Sequence, residues 1–99
     1  MAKYERKDFI FDCEQMLNIL RHQLKRRENG IDGDGEIWEL GQIIEEIEDW
    51  VRRARSNELP PQDDRCARFC YLVTDTWSLN SDLGSKLCGL ADKYRRRLP

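Results

Sequence analysis

Long apolar stretches and a secretion-type leader are both missing from this sequence. Its apolar stretches are only a few residues long, far below the ~20 residues that a membrane-spanning helix needs. The first residues are charged, unlike the apolar region of a signal peptide. We therefore expect no membrane association and a cytoplasmic location.

Motifs for catalysis are lacking as well. The single histidine, His22, has no nucleophile near it that forms a recognisable motif. The sequence contains neither a glycine-rich phosphate loop followed by lysine nor a serine flanked by glycines. A Cys–His pair assembled in space is the one alternative left open. The sequence predicts no enzyme, no catalytic residue and no cofactor.

The chain has four cysteines: Cys13, Cys66, Cys70 and Cys88. Without a secretion signal we expect them to stay reduced. All four fall in segments with apolar periodicity, where a free cysteine packs as a small hydrophobic side chain. Cys66 and Cys70, four residues apart, could hold one side of a zinc ion, with another cysteine or His22 completing the site. We favour the core interpretation and predict no metal site.

Residues 32–37 resemble the middle of an EF-hand calcium loop and lie between two predicted helices. If Asp34 takes the fifth loop position, Gly35 supplies the turn glycine. The first and twelfth positions are then Gly30 and Gly41, which offer no side-chain ligand. Because calcium needs six or more oxygen ligands, the segment is predicted to be an acidic turn without a bound ion.

Four segments carry helical periodicity, and residues that break helices separate them. The predicted helices span residues 4–28, 36–56 and 62–77, with a fourth that begins after Asn80 or Ser81 and ends near Leu98. Pro60 and Pro61 mark the firmest break, since neither fits inside a helix. We expect one all-α domain, residues 1–99, folded as a compact antiparallel four-helix bundle. A three-helix core with a docked fourth helix is the alternative.

The second predicted helix has the cleanest pattern. Its apolar residues recur in steps of three and four, as in a heptad seam, and are Ile37, Leu40, Ile44, Ile47, Val51 and Ala54. Gly41 costs this helix about 1 kcal/mol relative to alanine, unless a neighbouring helix packs closely there. Across the bundle, the side chains that we expect to be buried together are Phe9, Leu20, Ile44, Ile47, Val51, Phe69, Val73 and Leu87.

Acidic residues dominate the stretch from Glu28 to Val51, which holds nine of them and no lysine or arginine. Five residues are predicted to share the face opposite the apolar seam: Trp38, Glu39, Glu45, Glu46 and Asp49. Tryptophan is enriched at the energetic centres of protein interfaces, so this face is a candidate partner-binding surface. The alternative is a solvated acidic face, with Trp38 folded back against the first helix or the loop.

Basic residues are placed differently. In an antiparallel bundle, one end would collect twelve cations: Lys3, Arg6, Lys7, Arg52, Arg53, Arg55, Arg65, Arg68, Lys93, Arg95, Arg96 and Arg97. Six acidic residues are predicted to accompany them, namely Glu5, Asp8, Glu58, Asp63, Asp64 and Asp92. The expected excess of six positive charges makes this end a candidate surface for nucleic acid.

The leading hypothesis is a non-catalytic protein-binding protein that occludes a basic partner surface with its acidic second helix. Small inhibitors, immunity proteins and phage or bacterial anti-defence factors work in this way, an assignment made by analogy. The first alternative is a nucleic-acid-binding or regulatory module, which would use Arg52, Arg53, Arg55, Arg65, Arg68, Arg95, Arg96 and Arg97. The second alternative is a structural subunit that self-associates into a homodimer.

Overall fold

The computed structural model describes residues 3–78 and 80–99. Helix accounts for 72% of these residues, and none of them forms a β-strand. The four α-helices are α1 (Arg6–Glu28), α2 (Ile37–Arg55), α3 (Phe69–Thr76) and α4 (Asp82–Asp92). A 3-10 turn (Gln62–Asp64) precedes α3, and a π-helical turn (Lys93–Arg97) continues α4. The helices pack against one another, so the predicted compact helical bundle is confirmed.

The two long helices begin with the same local arrangement. At the start of α1 the Glu5 side chain accepts the backbone N–H of Asp8, whose carboxylate accepts the N–H of Glu5 in return. Glu36 and Glu39 form the same reciprocal pair at the start of α2. These capping boxes satisfy N–H groups that have no partner inside the helix. The observed starts lie within two residues of the predicted ones.

Four aromatic rings form the centre of the core, one each from α1, α2, α3 and the π-helical turn. Trp50 of α2 stacks on Tyr94 with ring centroids 4.0 Å apart, and Phe9 of α1 stacks on Tyr94 at 5.6 Å. Phe69 of α3 packs against Trp50 at 5.4 Å. All eight side chains predicted to be buried together belong to this core. Each large apolar side chain buried in this way contributes roughly 1.5–3 kcal/mol.

The prediction of a helix over residues 62–77 is wrong in its first half. After the 3-10 turn the backbone is extended at Arg65, and α3 begins only at Phe69. The Arg65 side chain is buried, and its guanidinium donates to the carbonyl oxygens of Pro60, Tyr94 and Leu98 at 3.0, 2.9 and 2.6 Å. These bonds fix the segment before α3 in a non-helical path.

The end of α4 also differs from the prediction. Regular α-helix ends at Asp92, and residues Lys93–Arg97 form a wider π-helical turn in which the Leu98 N–H donates to the Lys93 carbonyl oxygen at 2.8 Å. Carbonyl groups near a helix end lack partners inside the helix. Here those of Tyr94 and Leu98 accept from Arg65, so one buried arginine joins the chain before α3 to the end of the bundle.

Candidate docking face

Two carboxylates of α2 hold α3 along one side of it. Glu46 accepts the backbone N–H groups of Arg68 and Phe69 at 2.8 and 3.0 Å and so caps the start of α3. Glu39 accepts the hydroxyl of Thr76 at 2.8 Å, at the other end of α3. Because Glu46 meets the start of α3 and Glu39 its end, the two helices run antiparallel. The seam between them opens outward as a groove.

Large aromatic side chains stand exposed on this side of the molecule. Trp38 on α2 is 57% exposed, and Tyr71 on α3 is 68% exposed. Tyr71 lines a groove of about 820 Å³ together with Gln42 and Glu45. Trp38 lines an adjoining hollow of about 450 Å³, next to Thr76. We call the surface made by Trp38, Gln42, Glu45 and Tyr71 the docking face.

The predicted acidic surface is only partly formed, and the prediction that Glu39 faces outward is wrong. Glu39 is 3% exposed, because α3 covers the flank of α2 on which it lies. Glu46 is half-buried, and its carboxylate is used as the helix cap. Burial raises the pKa of Glu46, and its two backbone hydrogen bonds offset that rise only in part. Glu45 is exposed and forms no ion pair with any described residue.

Cations from elsewhere in the chain reach several of the nine acidic residues. Asp49 pairs with Arg52 and with Arg53, the latter at 2.9 Å. Glu48 pairs with Arg21 of α1 at 2.7 Å. The sequence-based view of these acids as a cluster without compensating cations is therefore wrong, because Arg21 lies on another helix and Arg52 and Arg53 lie just beyond the stretch that was counted. The negative charge that stays open on the docking face is centred on Glu45.

Part of the predicted basic end comes together, since one hollow is lined by Lys3, Arg6, Lys7, Arg55 and Arg65. Its charge is smaller than predicted. Asp12, Glu14 and Asp49 join the six predicted acidic residues by pairing with Lys93, Arg55, Arg52 and Arg53. Twelve cations then stand against nine carboxylates, an excess of three. Arg65 lies inside the fold, and Arg96 pairs with Asp92. Among the described residues, three exposed arginines of those predicted to bind nucleic acid have no ion-pair partner, namely Arg68, Arg95 and Arg97, and the buried Arg65 bonds to carbonyl oxygens only.

The calcium-like loop is held by side chains of α1. Arg27 donates to the carbonyl oxygens of Gly35 and Ile31 at 3.0 and 3.3 Å, and Gln23 donates to that of Asp34 at 3.1 Å. These bonds fix the loop against α1. Across residues 3–78 and 80–99, no three side chains of metal-binding type are grouped to hold an ion. The absence of metal binding in solution stays a prediction.

The cysteines occupy different environments. Cys13 is buried in the core, where burial raises the pKa of its thiol. Cys70 and Cys88 are half-buried at the edge of the core. The core interpretation is wrong for Cys66, which is exposed because the chain is extended rather than helical just before α3. His22 is also exposed, as expected. The absence of catalytic activity stays a prediction.

Sequence reasoning missed Tyr71 as a surface aromatic. The residue lies one position after Cys70, outside the apolar stripe of the third predicted helix. The same reasoning that placed Trp38 on an outer face would have placed Tyr71 there. What it lacked was the register between α2 and α3, which brings Tyr71 beside Gln42 and Glu45.

Comparisons with family models, with curated proteins and with solved structures find no match to this chain. No helix in the described part of the chain is long and apolar enough to cross a membrane.

Proposed function

We propose that this chain is a non-catalytic protein-binding protein that covers a basic surface of its partner with the docking face. The observation that supports the proposal is the placement of Trp38 and Tyr71, which are 57% and 68% exposed on the two walls of one helical seam. Aromatic side chains at the centre of an interface commonly carry much of the binding energy.

Charge on the docking face indicates the kind of partner. The Glu45 carboxylate is exposed beside both aromatic residues and pairs with no described cation. Trp38 and Glu45 are seven residues apart on α2, a rise of about 10 Å. An arginine or lysine of the partner can therefore meet the carboxylate while an apolar part covers the rings. The guanidinium group of arginine also stacks favourably on aromatic faces.

The mechanism is occlusion. Opposite charges speed the encounter, and burial of the aromatic rings slows dissociation. A bound protein on this seam would block its own basic surface from other ligands, as small inhibitors, immunity proteins and anti-defence factors do. The chain would act in the cytoplasm. That class and that location are part of the proposal, and cell fractionation of the source organism tests the location.

The experiment is a capture assay with the full chain as bait, three docking-face variants and two control variants. Trp38→Ala and Tyr71→Ala remove the rings, and Glu45→Lys reverses the open charge. The controls match them on other surfaces: Phe11→Ala on α1, where the ring is 62% exposed, and Glu28→Lys at the end of α1. We expect a captured protein that the wild type and both controls retain and that both docking-face ring variants lose.

Kinetic measurements on the captured protein then separate attraction from anchoring. Glu45→Lys should slow association, most strongly at low salt. Trp38→Ala and Tyr71→Ala should speed dissociation at least tenfold each if they anchor the interface, which corresponds to about 1.4 kcal/mol. Capture that is unaffected by all three docking-face variants, or lost with Phe11→Ala, contradicts the proposal.

A further inference from the structure

Two free thiols lie on neighbouring helices of the bundle. Cys70 lies on α3 and Cys88 on α4, and both pack at the edge of the same core. The two helices form a hairpin whose turn is short, so they run antiparallel. An added Cβ on Gly84 of α4 would lie 3.1 Å from the Val73 side chain of α3. The absence of a side chain at Gly84 therefore lets the helices approach closely.

The register of this hairpin brings the two cysteines together. Val73 faces Gly84. Cys70 lies one turn before Val73 on α3, and Cys88 lies one turn after Gly84 on α4. Residues three or four apart share a helix face, so both thiols continue the same line of contact. Burial raises the pKa of the Cys70 thiol, and the neighbouring Cys88 raises it further. Both are half-buried, which leaves one side open to a small reagent.

We propose that Cys70 and Cys88 are a modification site at which a low-molecular-weight disulfide, such as oxidised glutathione, generates an intramolecular disulfide between α3 and α4. This inference does not depend on the identity of a partner. The disulfide would also stabilise the docking face. Tyr71 follows Cys70 on α3, so a bond from Cys70 to α4 would hold α3 in place. Both thiols are free in the structure.

The reaction proceeds by two thiol–disulfide exchanges. Cys88, as thiolate, attacks one sulfur of the reagent, whose S–S bond breaks and releases one small thiol after taking up the proton that Cys88 lost. Cys70 then gives up its proton and attacks the Cys88 sulfur, and the second small thiol leaves with that proton. The protein loses two protons and two electrons, and the reagent gains both. Burial raises the pKa of Cys70 to about 11, which suits Cys70 to the second, intramolecular step.

Peptide mapping tests the pairing directly. Trypsin cleaves after lysine and arginine, and Lys7, Arg65, Arg68 and Lys86 separate the four cysteines into different peptides. After treatment of the full chain with oxidised glutathione, we expect a linked pair made of residues 69–86 and 87–93. Intact mass should fall by two hydrogen atoms. The disulfide closes a loop of moderate length, so the melting temperature should rise by roughly 10 °C.

Two serine variants complete the test. Cys66→Ser removes the exposed thiol and should leave the linked peptides unchanged, whereas Cys70→Ser should abolish them and retain one glutathione on Cys88 as a mixed disulfide. Circular dichroism establishes whether each variant is folded, and the wild-type map decides the pairing even if one is not. A link between Cys66 and Cys70, dimers joined through Cys66, mixed disulfides alone, or four unreacted thiols would each overturn the proposal.

Discussion

Two glycines show how differently the same residue type acts in this chain. Gly41 lies inside α2, and a Cβ added there would meet no atom within 4 Å. Gly35, in the loop before α2, has a φ of +85°, which favours glycine strongly over other residues. A Cβ on Gly35 would lie 2.6 Å from the buried ring of Trp77. Gly41 therefore weakens α2, whereas Gly35 is required by its positive φ and by the nearby ring of Trp77.

Alanine substitution at these positions should change stability in opposite directions. Gly41→Ala should raise the free energy of unfolding by about 1 kcal/mol, because alanine loses less backbone entropy and fits without a clash. Gly35→Ala should lower it by more than about 1 kcal/mol, because of the positive φ and the contact with Trp77. Urea denaturation of both variants measures the two changes in the free energy of unfolding. A Gly41→Ala variant less stable than wild type would show that this face of α2 is covered.

Helix α3 is the element that depends most on the rest of the molecule. It has eight residues, too few to be stable alone. Glu46 of α2 caps its start, and Glu39 of α2 binds Thr76 at its end. The docking face therefore depends on two acidic residues, Glu39 and Glu46, that the sequence analysis predicted to bind a partner. Their structural use explains why fewer charges remain open than the sequence predicts.

Stability should depend on pH through Glu46. Burial raises the pKa of Glu46 above the ordinary value of 4.5, so the folded state holds this proton more tightly than the unfolded state does. The resulting stabilisation is complete below pH 4.5 and is lost as pH rises through the higher folded-state pKa. Glu46→Gln stays neutral throughout. Wild type should therefore become less stable relative to Glu46→Gln as pH rises, by at most about 1.4 kcal/mol per pH unit.

Thermal unfolding across this pH range measures the difference between wild type and Glu46→Gln. Glu45→Gln, which removes a charge from the exposed neighbour, controls for changes in overall charge. A stability difference that grows in favour of wild type with rising pH would show that the two backbone hydrogen bonds outweigh burial at Glu46.

The link from the chain before α3 to the end of α4 should depend on arginine at position 65. The Arg65 guanidinium donates to the carbonyl oxygens of Tyr94 and Leu98 and lies 5.4 Å from the centre of the Tyr94 ring. Lysine has one compact ammonium group and lacks the planar fork. Arg65→Lys should cost about 2–4 kcal/mol and expose the amides of residues 93–98 to hydrogen exchange. The exposed Arg68→Lys is the control, and equal losses would contradict this role.

At the scale of the whole molecule, charge separates into a basic end and an open acidic side. The basic end has an excess of about three cations once the ion pairs from α1 and α2 are counted. Nucleic-acid binding relies on replacing counterions around phosphates, and its strength follows the number of contacts. The folded molecule offers fewer of these contacts than the sequence predicts.

Binding to DNA or RNA should therefore be weak and confined to low salt. We expect the logarithm of the binding constant to fall with the logarithm of salt concentration with a slope near −3. Gel-shift assays on wild type and on a variant with glutamine at positions 95, 96 and 97 measure this. Retention of binding at physiological salt, together with its loss in the triple variant, would favour the nucleic-acid alternative over the docking face.

The sequence by itself determined the helical class, the core and most helix boundaries, because these depend on residues within a few positions of one another. Apolar residues at steps of three and four correctly predicted the eight side chains expected to be buried together, although Ile37 and Cys66, which follow the same spacing, are exposed. Local caps fixed where α1 and α2 begin. Tertiary structure alone decided where α3 begins and which acids stay open. Those outcomes depend on Glu46 meeting Phe69 and Arg65 meeting Leu98, contacts across 23 and 33 residues. Periodicity carries no information about such distant partners, since it specifies which face of a helix is buried and not which atoms cover it.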